Sequence, residues 1–330
     1  MNHIPSLIAV IIGLATATAA PAGELTLEPK AVAPPLSEES WTYKLSMPLW
    51  VTWMQGDAGF HGRTASLDLG PGDLIPRMDM AVDIRAEAHK GRFSVMGEFL
   101  YLSLSDGVGT NTVVKKMDLR MDQTMGDVGV AWRVIESPRG YLDVTGGVRY
   151  MSLYQKLTLQ AGDDQIDKLA GKLAAIGTAA QVTKALRALE GRDPSIPGAP
   201  IGDGAIAKIT KALKHLKGST AERKEKIAKI LRDALNRTVS RTDDWLDPYI
   251  GLRGRYNLNQ TFYLTAKGDI GGFTVGSDFA WQVEAALGCQ LSRHLFTEIG
   301  YRALGVDYRK DGLIMDTVTH GAQMTVGVNF

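Results

Sequence analysis

Sixteen charged side chains stand at alternate positions of short segments. They are Asp79, Asp83, Arg85 and Glu87; Arg92 and Glu98; Asp143 and Arg149; Asp247, Arg253 and Arg255; Lys267 and Asp269; Glu284; and Glu298 and Arg302. The positions between them are largely apolar, as in Met78, Met80, Val82, Ile84, Ala86 and Ala88. A period of two puts the charges on one face of a strand and the apolar residues on the other. Turned to lipid, each charge would cost about 2–4 kcal/mol, so the charged faces belong on an enclosed side. Nine of the sixteen are acids and seven are bases, which gives no strong ion selectivity. Two chemical uses remain open: a paired ionic core filling a narrow lumen, or a narrow polar pore with a solute site.

Other reactive groups are few. Cys289 stands alone on an apolar face, so neither a disulfide nor a metal site is expected. A hydrolase or acyltransferase would need a histidine with a nucleophile or carboxylate beside it. Only His61 and His320, with Asp316 or Asp57, fall where that could happen, and no spacing supports them. The chain therefore reads as non-enzymatic, without cofactor or metal. Gly271-Gly-Phe-Thr-Val-Gly276 precedes no helix and is not a phosphate loop. Between residues 205 and 237 bases outnumber acids: Lys208, Lys211, Lys214, Lys217, Arg223, Lys224, Lys226, Lys229, Arg232 and Arg237 face Glu222, Glu225 and Asp233. That run is either a solvated helical face or a candidate anion-binding surface, for example for lipopolysaccharide phosphates. It has no aromatic residues on which bases could stack, so nucleic acid is not an expected partner.

The elements that must position these groups are strands. Ten alternating segments are expected, beginning with Trp41–Gly56 and ending with Asp316–Phe330. Short turns fall at residues 89–91, 137–140, 257–260 and 291–293. Longer loops fall at residues 56–76, 105–113, 161–242, 271–278 and 308–315. The two classes alternate, as in an antiparallel up-and-down β-barrel of about ten strands, with eight as the alternative. Within the segment Lys116–Ile135 the apolar parity changes between Met121 and Val128, which predicts a bulge there or an exit from the membrane. Residues 161–242 differ in kind. Ile166, Leu169, Leu173 and Ile176 recur at helical spacing, as do Ile206, Ile209, Leu213 and Leu216, and then Ile227, Ile230, Leu231 and Leu235. Three helices are expected, the last opened by a Ser219–Glu222 capping box.

Composition agrees with a barrel. The 330 residues carry a net charge of +1, are 45% hydrophobic and include 36 glycines. Mean hydropathy is −0.07, which fits a wall whose inward half is polar. Leu7–Leu14 is far shorter than the ~20 residues of a spanning helix and leads into small residues. Residues 1–22 therefore read as a signal peptide, and the proline-bearing residues 23–40 as a periplasmic leader. Residues 41–160 and 243–330 form the barrel, and residues 161–242 an extracellular, basic, helical insertion.

Val326-Gly-Val-Asn-Phe330 resembles the last strand of bacterial outer-membrane barrels, where the terminal aromatic serves as an assembly signal. Trp245-Leu-Asp-Pro-Tyr-Ile-Gly-Leu-Arg253, the segment Asp269–Trp281 and Gly300-Tyr-Arg302 resemble the small outer-membrane barrels of the porin-family or OmpA-like type. The resemblance covers residues 245–330 closely and 41–154 loosely. It implies outer-membrane lipid and lipopolysaccharide as surroundings, and contact with the barrel-assembly machinery through Phe330. It carries no catalytic motif and no oligomeric state. The expected function is a structural barrel or a narrow porin-like passive channel of the Gram-negative outer membrane. The alternatives are a surface protein whose insertion binds an anionic partner and, third, a lipid-modifying enzyme.

Overall fold

The computed structural model describes residues 40–60, 63–109, 114–176 and 219–330, with residues 181, 184, 207, 208, 210 and 211. The expected signal peptide, the leader before Ser40, His61, Lys214, Lys217 and most of the second expected helix lie outside the described residues. Residues 1–35 and 36–330 form separate units, and the barrel belongs to the second.

Eleven antiparallel strands make one sheet: β1 (Thr42–Phe60), β2 (Arg63–Leu69), β3 (Met78–Lys90), β4 (Phe93–Gly109), β5 (Val114–Ser137), β6 (Gly140–Ala161), β7 (Arg237–Asn257), β8 (Phe262–Gly271), β9 (Phe279–Gln290), β10 (Leu295–Lys310) and β11 (Leu313–Asn329). From β3 onward neighbours in sequence pair, and β1 closes the ring by pairing with β11 along its length, from Lys44↔Asn329 to Phe60↔Leu313. The first residues of β1 also pair with β3, from Thr42↔His89 to Ser46↔Arg85. Ten strands therefore close, as the alternation of turns predicts. The eleventh, β2, folds back on the far half of β1, from Met54↔Leu69 to Phe60↔Arg63.

The outer wall is apolar because the alternation holds. Leu45, Met47, Leu49, Val51 and Trp53 of β1 are all exposed, as are Val128, Val130, Trp132 and Val134 of β5. Aromatic residues mark both limits of this band: Tyr43, Trp132, Tyr256 and Phe330 near the short turns, and Trp53 and Tyr150 towards the long loops. No described helix is long and apolar enough to cross a membrane.

Several strands overshoot the band. β5 has 24 residues, about 80 Å of extended chain, where ~10 residues suffice to span. This overshoot corrects several expected boundaries. Residues 56–76 are not an open loop: they hold the rest of β1, β2, a helical turn α1 (Pro71–Leu74) and a 3-10 turn (Ile75–Arg77). The helical insertion ends before residue 237, since residues 237–242 extend β7 and pair with β6. The 308–315 loop shrinks to Asp311-Gly312, both with positive φ (52° and 81°), the geometry of a tight primed hairpin turn. The bulge expected between Met121 and Val128 is absent. Pairing of β5 with β6 is continuous there and shifts instead between Val114 and Lys116 and between Arg133 and Ile135. Met117 and Met121 share the inward parity of Met125 and Asp127. The apolar face changes side because the strand has left the membrane and the interior has become apolar.

Two helices of the insertion are described, α2 (Asp163–Ala175) and α3 (Thr220–Leu235). The capping box holds: Glu222 N–H donates to Ser219 Oγ (3.3 Å) and Ser219 N–H to Glu222 Oε2 (2.9 Å). Ile166, Ala170 and Leu173 pack against Ile227, Leu231 and Leu235, and this core continues onto Val114, Met117, Leu157 and Leu159. Met117, Leu157 and Leu159 have lumen-side parity, so the helical pair rests on the inward face of the extended β5–β6 hairpin.

Candidate functional site

The interior of the membrane band is filled with ion pairs. Nearest the short turns, Arg253 of β7 reaches Glu87 of β3 through both carboxylate oxygens (2.6 and 2.8 Å) and Asp143 of β6 (3.0 Å). Asp143 also holds Arg133 of β5 (3.1 Å), whose guanidinium lies 4.0 Å from the Tyr141 ring centroid. Beside them Glu298 accepts a bond from the Tyr263 hydroxyl (3.0 Å) and faces Lys44 (3.6 Å), while Arg255 stacks on Tyr263 (3.5 Å).

The middle layer turns on Arg302 of β10. It donates to Glu98 of β4 (2.5 Å), Asp83 of β3 (3.3 Å) and Gln282 of β9 (3.0 Å), and lies over Trp50. Arg85 of β3 pairs with Glu284 of β9 (2.9 Å) and Glu98 (3.3 Å), and Lys267 of β8 faces Glu98 (3.7 Å). Gln323 of β11 donates to Glu284 (2.9 Å). In the next layer Arg149 joins Asp269 (3.0 Å) and Asp127 (3.3 Å), and the Tyr249 hydroxyl donates to Asp127 (2.8 Å). Glycine makes room for that phenol: a Cβ on Gly129 or Gly147 would fall 2.2 or 2.6 Å from the Tyr249 oxygen.

Beyond the charges lies an apolar layer. Met125, Met151, Leu153, Trp245, Leu304, Val306 and Tyr308 are buried together, with Trp245 and Tyr308 stacked at 4.1 Å. Asp247 borders it, accepting from Trp245 Nε1 (3.1 Å) and Ser277 N (2.7 Å).

The decisive geometry is which walls are joined. In a ring of ten strands, partners directly opposite are five apart. Arg253–Glu87, Arg302–Glu98, Arg85–Glu284 and Lys267–Glu98 each join strands four apart. Arg149 and Arg302, long side chains that would line any channel, are 1% and 0% exposed. The bridges cross the lumen rather than coating its wall.

Fourteen of the sixteen expected lumen charges take part or lie on that face. Two do not. Arg92 is exposed in the β3–β4 turn, one residue beyond the strand end. Asp79 is exposed at the start of β3, where Ser105 Oγ donates to it (2.9 Å) above the band. Three lumen charges went unnamed: Lys44, Asp127 and Arg133. The same parity rule identifies them, since they alternate with Tyr43, Leu45, Val128, Trp132 and Val134.

Of the two expected histidines His320 is described, and it does not meet Asp57 or Asp316. His320 faces outward between Trp53 (ring centroids 6.1 Å) and Tyr301, whose hydroxyl is 2.5 Å from Nδ1. Asp316 pairs with Arg309 (2.7 Å). A serine–histidine pair occurs elsewhere, His89 Nδ1 lying 2.8 Å from Ser94 Oγ. Ser94 is 1% exposed and His89 Nε2 has no hydrogen-bond partner among the described residues. A triad needs a carboxylate on that second nitrogen. Among the described residues no group of three or more His, Cys, Asp or Glu side chains is arranged to hold a metal ion.

The basic run is partly neutralised. Arg232 is bound to Asp163 (2.8 Å) and Asp167 (2.7 Å) of α2, which hold its guanidinium more firmly protonated than usual through the Asp163 hydrogen bond. Lys224, Lys226 and Lys229 are exposed and Arg223 half-buried, as Lys208 and Lys211 are exposed. Over α2 and α3 seven cations face six carboxylates, while α3 alone carries five cations and three carboxylates.

No protein-family model matches the sequence, and no curated protein matches it. Among solved structures the chain is similar to the outer membrane protease OmpT of Escherichia coli, at 11% identity over 89% of this chain and 99% of that one, with a TM-score of 0.46. It is similar to the translocator domain of the autotransporter NalP from Neisseria meningitidis, at 10% identity over 87% and 88%, with a TM-score of 0.41. It is also similar to Ail, the attachment invasion locus protein of Yersinia pestis, at 8% identity over 88% and 98%, with a TM-score of 0.31. By its own strand pairing and apolar outer wall, the chain is a closed transmembrane antiparallel β-barrel of ten strands with one strand added.

Proposed function

We propose that this protein is a non-enzymatic bacterial outer-membrane barrel with a sealed lumen, a rigid scaffold that carries long strands and a helical pair on the outer face of the cell. The supporting observation is the set of ion pairs joining strands four apart, with Arg302 and Arg149 buried among them. A solute would have to break several buried pairs to pass, and each broken pair costs about 3–5 kcal/mol. A porin-like passive channel is therefore the less favoured half of the expectation. The apolar layer around Trp245 and Tyr308 adds a second barrier, since an apolar constriction excludes water.

The test is planar-bilayer conductance of the refolded protein beside a version in which residues 163–235 are replaced by a short turn. Both are expected to be silent while folded, as judged by heat-modifiable mobility. Steady channels in the full-length protein would refute the sealed lumen, and channels only after the replacement would make the helices a lid over an open one.

A further inference from the structure

The outer wall is not uniformly filled. A groove of about 760 Å³ crosses it from the β5–β6 turn to β10. Its floor follows one cross-strand row, Leu142↔Gly254↔Ala266↔Ala285↔Tyr301. Gly254, Ala266 and Ala285 keep the floor low between Leu142 and Tyr301. Tyr256, Leu264, Leu287 and Ile299 form one side.

The row climbs. Its residues lie two, three, four, five and six positions in from the short-turn ends of β6, β7, β8, β9 and β10. Four strand spacings make it about 19 Å long. On strands tilted by ~45° it rises about 13 Å, which is within the ~15 Å of one half of a bilayer's hydrocarbon core. The low end of the groove meets the membrane surface and the high end stops near the midplane.

At the low end sits a cation. Arg139 is exposed in the β5–β6 turn, its Nη1 3.5 Å from the hydroxyl of the groove residue Tyr256. Two other short turns also carry exposed cations, Lys90 and Arg92 between β3 and β4 and Arg293 between β9 and β10, while the β7–β8 turn carries none. The carboxylate in this set of turn residues, Glu136, faces Arg133 (3.5 Å).

We propose that the groove and Arg139 form a docking site for an anionic phospholipid of the leaflet on the short-turn side, one acyl chain lying over Gly254, Ala266 and Ala285 and the phosphate meeting Arg139. The dimensions fit one chain of one leaflet, and the charge sits at headgroup depth. A cation near a membrane surface contributes ~1 kcal/mol towards an anionic lipid, about a fivefold preference.

The test uses the full chain refolded into vesicles with spin-labelled phosphatidylglycerol or phosphatidylcholine as a trace lipid, reading the motionally restricted fraction. The wild type is expected to restrain phosphatidylglycerol about fivefold more than phosphatidylcholine. Ala266→Leu with Ala285→Leu fills the groove with residues typical of this wall and is expected to abolish the restrained signal of both lipids. Arg139→Gln lies in an exposed turn and is expected to keep the restrained chain while removing the preference. Equal restraint of the two lipids by the wild type, or unchanged restraint in the filled variant, would overturn the proposal.

Discussion

Replacing Arg302 by methionine is the sharpest probe of the sealed lumen. The guanidinium is fully buried and serves Glu98, Asp83 and Gln282 at once. Methionine keeps most of the length and apolar contact, including the approach to Trp50, so the loss is largely one of charge. Glu98 keeps Arg85 and Lys267 at 3.3 and 3.7 Å. Asp83 has no other ion pair under 4 Å among the described residues, and it is left enclosed without a cationic partner. Breaking one side of a buried pair costs about 3–5 kcal/mol, and the Asp83 half should dominate. Adding Asp83→Asn removes the stranded carboxyl and is expected to recover at least half of the loss. The assay is urea unfolding of the vesicle-refolded protein followed by tryptophan emission, with single and double variants in one cycle. A loss under about 1 kcal/mol for Arg302→Met, unchanged by Asp83→Asn, would show that water already reaches this layer, and the cross-lumen argument would fail.

Other outcomes follow from the same structure. Leu231→Ala, at a fully buried point between α2 and α3, should cost about 2–5 kcal/mol within the helical pair. Limited proteolysis should then cut the insertion faster while the heat-modifiable mobility of the barrel stays the same. Burial pushes the Asp307 carboxyl up against the pull of Arg309, and Asp316 and Asp278 add to the rise. A raised carboxyl destabilises the fold above its folded-state value and no longer does so below the ordinary Asp value of about 3.9. Asp307→Asn should therefore raise the thermal midpoint at pH 7 and leave it unchanged at pH 3. Phe330 is exposed and held by its backbone, its N–H donating to Tyr43 O (2.8 Å). Phe330→Ala should lower the amount of barrel assembled in cells with little change in the stability of refolded protein.

The ring of ten strands was legible because each strand is apolar on one side and charged on the other, and because short and long connections alternate. The sequence was least informative where the strands leave the membrane. Above the band the interior turns apolar and the outside polar, so Met117 and Met121 look like lipid-facing residues when they point inward. Alternation alone leaves that inversion open between a bulge and an exit from the membrane, and the continuous β5–β6 pairing selects the exit. The glycines around residue 56 suggested a loop, but pairing with the already anchored β11 carries β1 on to Phe60. The candidate site was legible as a set of residues and not as a set of partners. Alternation shows that Arg253 and Glu87 face inward, while only ring closure shows that they meet. The partners of Arg232 were hidden for a related reason: the carboxylates of Asp163 and Asp167 that hold it lie some seventy residues away in sequence.

The stacking of an apolar layer on an ionic one gives the interior a direction. At the short-turn end the half-buried Glu87 and Lys44 lead directly into the ion pairs, beside the buried rings of Tyr263 and Phe296. At the long-loop end solvent meets Trp245, Tyr308, Leu304 and Met125 first, all buried. Water and ions should therefore reach the bridges more readily from the short-turn side, past Lys44 and Glu87, than through the apolar layer. In a vesicle with different solutions inside and out, the core would respond first to the composition on the short-turn side.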